Sequence, residues 1–342
     1  MSGHHEHDHG HDHGPGHEHG HEHGGGLRGW LTGLIRPHSH DVADSLDSAL
    51  ESSARGIRAV KVSLVALAVT AVLQLLIVLA SGSVALASDT IHNFADCGSG
   101  LGLWVALALG RRPATRRHPY GLGRAEDLAG LAVVIAIAAS AVVAGVESVR
   151  RLLDPAPVTH LAWVAAAGVI GFAGNEAVAL YRMRVGRQIG SAALVADGLH
   201  ARTDGLTSLA VVVGAAGVAV GWRWADPVVG LGITVAIAAV LKDAAREVYR
   251  RLMDAVDPTL VDAAEAELAA TPGVTGVRQV RMRWLGHTLH AEAELDIDGS
   301  VSLTEAHAIA HDAEHRLTHG VPRLRSATVH AYPAHRHEPA AH

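Results

Sequence analysis

Cysteine is almost missing from this sequence: among 342 residues there is one, Cys97. A lone thiol excludes an internal disulfide and any cysteine-rich zinc site, so a metal held here would rest on histidine and carboxylate. Aromatic residues make up only 4% and charged residues 18%, against 49% hydrophobic, which is not the composition of an ordinary soluble protein. A strong charge of one sign is also lacking. The formal net charge is -6, and the arginines fall in short clusters between apolar runs, so no continuous basic surface for nucleic acid is expected. No basic-then-apolar leader opens the sequence, and an internal segment is expected to direct membrane entry.

Histidine and long apolar runs are what the chain has in excess. Ten of the 26 histidines lie between Met1 and Gly26, alternating with Gly, Asp and Glu. Such a tract has nothing to bury and is expected to be disordered, with its neutral imidazoles gathering metal weakly through their local density. Six apolar stretches follow, at about Val60 to Ala80, Val84 to Leu109, Leu128 to Val146, His160 to Tyr181, Ala192 to Val220 and Ala225 to Leu241. Each approaches the roughly 20 residues of a bilayer-spanning helix, and only helices pair all their amides within such a segment. Arg55, Arg58 and Lys61, the arginines from Arg111 to Arg124, Arg182 to Arg187, and Lys242 to Arg251 all fall on one side of this topology. That side is expected to be the cytoplasm, with both termini there and the chain in the cell membrane.

Past Asp257-Pro258 the pattern becomes that of a small soluble domain: a helix over Thr259 to Ala270, strands over Val277 to Trp284 and Thr288 to Asp298, a helix over Ser302 to Thr318, and a strand over Ser326 to His330. The expected organisation is therefore a His-rich tail and linker (1–54), an all-α six-helix transmembrane domain (55–254), a small α+β domain (255–334) and a short tail (335–342). The second and fifth spans share one spacing, D-x-x-H-x-x-x-D, as Asp89, His92, Asp96 and Asp197, His200, Asp204. Offsets of 3, 4 and 7 put each trio on one helical face. An Asp at mid-bilayer costs about 2.5 to 3.5 kcal/mol on the insertion scale, so four need compensation. A divalent cation between His92, Asp96, His200 and Asp204 would supply it, with two nitrogen and two oxygen donors of the kind that suits zinc. Asp89 and Asp197, one turn nearer the helix starts, are read as supporting or entrance groups, and Cys97 as a core residue.

With these residues in view the chain resembles the cation diffusion facilitators, proton-coupled exporters of divalent metals. The paired HxxxD sequences carry the resemblance, together with His118-Pro-Tyr-Gly-Leu-Gly-Arg-Ala-Glu126 and the junction Leu252-Met-Asp-Ala-Val-Asp257. The resemblance implies a homodimer, one transport site between spans two and five, and a ferredoxin-like or metallochaperone-like cytoplasmic domain. It also implies zinc as the transported substrate with protons as counter-ion, cobalt, cadmium or ferrous iron being the alternative cargo. His307 and His330 match metal-ligand positions of the cytoplasmic domain, whereas Arg278, Glu294 and Tyr332 occupy other such positions. His307, His311 and His315 share one helical face, as a metal-binding or merely solvated stripe. The resemblance further implies a charge interlock between Arg124 and Asp254. A membrane metalloenzyme is disfavoured, since no span carries HExxH and four ligands would leave no open coordination position. A metal sensor or buffer does not account for charge inside the spans.

Overall fold

The computed structural model describes residues 40–81, 98, 100–154, 161–222 and 224–334. Six helices come first: α1 (His40–Ser81), α2 (Gly100–Gly110), α3 (Arg124–Leu153), α4 (Leu161–Ile189), α5 (Ala192–Ala219) and α6 (Ala225–Leu252). Four of them, α1, α3, α4 and α6, are long and apolar enough to cross a bilayer, and at most 33% of the apolar window in any of these is buried within the protein. Their outer faces present Val65, Leu79, Val142 and Val235, apolar all round as lipid contact requires. The fifth expected span, α5, is 28 residues long and carries the polar stripe. Most of the second expected span, with Asp89, His92, Asp96 and Cys97, lies outside the described residues, as do the tail before His40 and residues 335–342.

Helix ends differ from the apolar runs in a consistent direction. Helix α1 begins at His40 and not after a linker ending at residue 54, because no Gly or Pro interrupts the chain between Asp41 and Arg55 and Glu51 pairs with Arg55 one turn on. Helix α4 continues past Tyr181 to Ile189, and α6 past Leu241 to Leu252. Arginines extend these helices because their stems cover apolar surface while their heads find water or a partner.

Helix α5 is the central element. It contributes Ala193 and Leu194 to a cluster with Val60 of α1 and Leu107 of α2, and Ala196 to one with Ile137 of α3 and Ile237 of α6. It also contributes Ala215 to a cluster with Ala167 of α4, and Ala201 to one with Val178 and Met183. A two-residue turn joins it to α4: Gly190 takes φ +78°, and the buried Ser191 hydroxyl accepts from the Leu194 amide to cap α5, satisfying an amide that a helix start leaves without a partner. The two helices approach closely. A Cβ on Gly198 would stand 3.0 Å from the Met183 amide nitrogen and 3.1 Å from the Ala179 carbonyl oxygen.

The C-terminal domain follows as α7 (Pro258–Ala269), β1 (Val274–Leu285), β2 (Thr288–Ile297), α8 (Leu303–Gly320) and β3 (Leu324–Pro333), in the order expected. Asp257 caps α7 by accepting from the Thr259 amide and hydroxyl, bonds that hold its carboxyl below the usual range. Ser302 and Glu305 form a capping box on α8. The sheet order is β1-β2-β3, with β1 and β2 antiparallel and β2 and β3 parallel. Leu289, Ala291, Ala293, Leu295 and Ile297 are buried in alternation with more exposed polar residues, as their period of two dictates. Leu268, Ala313 and Leu317 of the two helices close this core.

Side-chain contacts tie this domain to the helices. Arg124 meets Asp254 at 2.8 Å, the interlock that the family pattern implied. His287, in the β1–β2 turn, stands 2.8 Å from Glu126 of α3 through Nδ1 and 3.1 Å from Ser53 of α1 through Nε2. Arg323 donates to the Arg187 carbonyl at the end of α4. Arg251 donates to the Gly190 carbonyl while its guanidinium lies 4.0 Å over the Trp284 ring.

Candidate functional site

The stripe on α5 exists as a buried feature: Asp197, His200 and Asp204 are 0, 3 and 8% exposed. His200 and Asp204 face each other one turn apart, with Nδ1 3.9 Å from Oδ1, the separation expected at i,i+4 on one helix face. The Thr203 hydroxyl between them donates to the His200 carbonyl. The other two expected ligands, His92 and Asp96, lie outside the described residues; among the described residues no three His, Cys, Asp or Glu side chains group as a metal site.

Asp197 has a partner that sequence reasoning missed. Arg182 of α4, which follows the apolar run ending at Tyr181, is 1% exposed and sits inside the bundle with Nη1 2.8 Å from Asp197 Oδ2. Its guanidinium lies against Gly100 of α2, where a Cβ would come within 2.9 Å of Nη2. A Cβ on Gly98 or Gly102 would meet nothing within 4 Å among the described residues. On the next turns Glu176 of α4 pairs with Arg202 of α5, and Asn175 is buried against Gly205. The α4–α5 face thus carries two charges of each sign beside His200 and Asp204, paired across the hairpin.

The sequence from residue 60 to 253 matches the model of the cation efflux transmembrane domain, and residues 256–334 match the cytoplasmic domain of cation efflux proteins. The chain belongs to the cation efflux family. A probable cation efflux system protein of Mycobacterium tuberculosis is 62% identical over 309 residues, covering 90% of this chain and 93% of that protein. The cation-efflux pump FieF of Escherichia coli O127:H6 is 28% identical, covering 76% of this chain and 89% of its own. The manganese efflux system protein MneS of Bacillus subtilis is 26% identical, covering 75% and 88%. Among solved structures, a MamM C-terminal domain in a nickel form is 22% identical, covering 23% of this chain and 100% of that one with a TM-score of 0.23. Membership makes this cation efflux protein a membrane transporter of cations.

In the C-terminal domain of this cation efflux protein the two candidate ligands stand apart. His330 is exposed on β3, its ring edge-on to Tyr332 at 4.5 Å and its register partner Glu294. His307 is exposed on α8, stacked on His311 with centroids 6.4 Å apart. Arg278 pairs with Asp296 at 2.6 Å and stacks on Tyr332, which places a guanidinium beside the ring that His330 meets.

Proposed function

We propose that this protein exports divalent transition-metal cations, zinc foremost, from the cytoplasm in exchange for protons, by alternating access at a site formed by His92, Asp96, His200 and Asp204. The observation that carries the reading is the division of charge on α5. Arg182 neutralises Asp197 at 2.8 Å, while His200 and Asp204 stand together one and two turns further on. If the stripe on the second span contributes Asp96, two carboxylates remain to balance one divalent cation, and two imidazoles complete a four-ligand set that suits zinc and also admits cobalt, cadmium and ferrous iron. Metal enters only on deprotonated ligands, so loading the site releases protons and protonation unloads it. Competition at one place gives antiport when the site faces either side in turn. The arginine distribution supports cytoplasmic termini and residence in the cell membrane, and the match to the family's cytoplasmic domain supports a homodimer joined there. His307 and His330 are proposed as additional metal-binding residues of that domain, and the His-rich residues 1–26 as a metal-gathering tail.

The test is zinc flux into proteoliposomes holding a zinc-sensitive dye, across a set pH gradient. Asp204→Ala is expected to abolish flux, because three ligands with one carboxylate neither balance nor fill the zinc shell, while the protein still elutes as the wild type does. Full flux in Asp204→Ala and in His200→Ala would remove the site assignment, and flux indifferent to the pH gradient would remove the antiport.

A further inference from the structure

A cavity of about 530 Å³ lies between the α2–α3 loop and the β1–β2 turn of the C-terminal domain, and no residue of the α5 stripe is in its lining. Its polar wall holds Arg111 and Arg112 from the loop and Arg325 from β3. Several arginines of the protein have carboxylate partners, among them Arg124, Arg151, Arg182, Arg202, Arg278 and Arg316. Among the described residues no ion pair is formed by Arg111, Arg112 or Arg325. Glu126 is the carboxylate in the lining, and its Oε2 is already taken by His287. Three arginines thus line a space whose one acid is engaged by His287 through Oε2. The charge is felt within the wall: burial together with Arg325 and Arg283 holds the His290 imidazole down to a pKa of about 4, and its Nδ1 meets the Ser326 hydroxyl at 2.7 Å.

Leu50, Leu107, Leu122 and Leu285 give the lining an apolar part, beside the hydroxyls of Ser53 and Thr288. Its position is set by the membrane helices, because α2 ends at Gly110 and α3 begins at Arg124 on its rim. A space lined by three arginines and by leucines, at the ends of spanning helices, matches the phosphate of a phospholipid headgroup and the glycerol beneath it. Guanidinium is the side chain whose planar donors match phosphate oxygens in pairs.

We propose that this cavity binds a phosphate-bearing anion, of the class of an anionic phospholipid headgroup, between Arg111 and Arg112 of the loop and Arg325 of the C-terminal domain. Bound there, the phosphate bridges two parts of the chain that otherwise meet through Arg124–Asp254 and His287. The proposal does not depend on the metal site, because none of its residues belongs to the α5 stripe.

The experiment uses the full-length protein in a neutral detergent, with phosphatidylglycerol, phosphatidylcholine and inorganic phosphate as probes, and counts bound lipid by native mass spectrometry. The expected result is selective retention of phosphatidylglycerol, weakened at least about tenfold in Arg112→Gln/Arg325→Gln, since each charge-assisted hydrogen bond contributes roughly 1.5 to 3 kcal/mol. Arg116→Gln/Arg117→Gln, two exposed arginines of the same loop outside the cavity lining, serves as the charge-matched control and is expected to retain it. Arg112→Gln alone, at an exposed position, guards against misfolding of the pair. Millimolar phosphate that displaces phosphatidylglycerol and raises the melting temperature by itself assigns the site to a soluble phosphate; phosphatidylglycerol that resists phosphate assigns it to the lipid. Equal retention of the two lipids without a phosphate effect, or equal loss in both double variants, overturns the proposal.

Discussion

Arg182 and Asp197 are the residues on which the electrostatics of the bundle turn. Both are buried and 2.8 Å apart, so removing one leaves the other's charge in a medium that solvates it poorly. Asp197→Ala is expected to cost about 3 to 5 kcal/mol, while Arg182→Met combined with Asp197→Leu recovers most of that loss. Thermal unfolding of the purified single and double variants checks this, and a single-variant cost below about 1 kcal/mol would show that the pair is not desolvated. His290 gives a pH-dependent counterpart outside the membrane. Its folded pKa of about 4 lies below the ordinary histidine value of 6.5, so the unfolded chain binds the extra proton between those values. Its contribution is fully present above pH 6.5 and is lost progressively as pH falls toward about 4. The melting temperature of the wild type should therefore fall more steeply than that of His290→Gln across that window; parallel curves would place the imidazole in water.

At the scale of elements, the α4–α5 hairpin depends on glycine at the crossing. Gly198→Ala drives a methyl into the Met183 and Ala179 backbone and is expected to destabilise by about 1 to 3 kcal/mol. Gly102→Ala, with nothing within 4 Å among the described residues, is neutral or stabilises by up to about 1 kcal/mol; the difference in melting temperature between the two reads the packing directly. The same hairpin shows what the sequence makes legible. The domain order, the strand alternation and the stripe on α5 follow from periods of 2 and 3.6, which are local. The end of α4 did not, because Arg182 breaks the apolar run at Tyr181 although the small-residue face continues through Gly171, Asn175, Val178, Arg182, Gly186 and Ile189 in steps of three and four. Following that spacing, and not hydropathy, would have placed Arg182 inside. His287 had no such signal, since one histidine in a tight turn has no period to betray a partner 161 positions away.

For the whole molecule, the contacts between the helices and the C-terminal domain are small and polar. Arg124 and Asp254 are each more than 40% exposed, so a double-mutant cycle on Arg124→Ala and Asp254→Ala is expected to give a coupling of about 0.2 to 1 kcal/mol, reduced by added salt. Chemical denaturation of the four proteins measures it, and zero coupling at low salt would dismiss the interlock as a chance approach. The turn at Gly190 and Ser191 bears on how the protein is made. Two residues leave no tether for α4 to enter the bilayer ahead of α5, and Arg182 entering alone would carry a bare charge into hydrocarbon. During synthesis α4 must then wait at the insertion machinery until Asp197 has emerged from the ribosome, and the two helices enter lipid as one neutral hairpin.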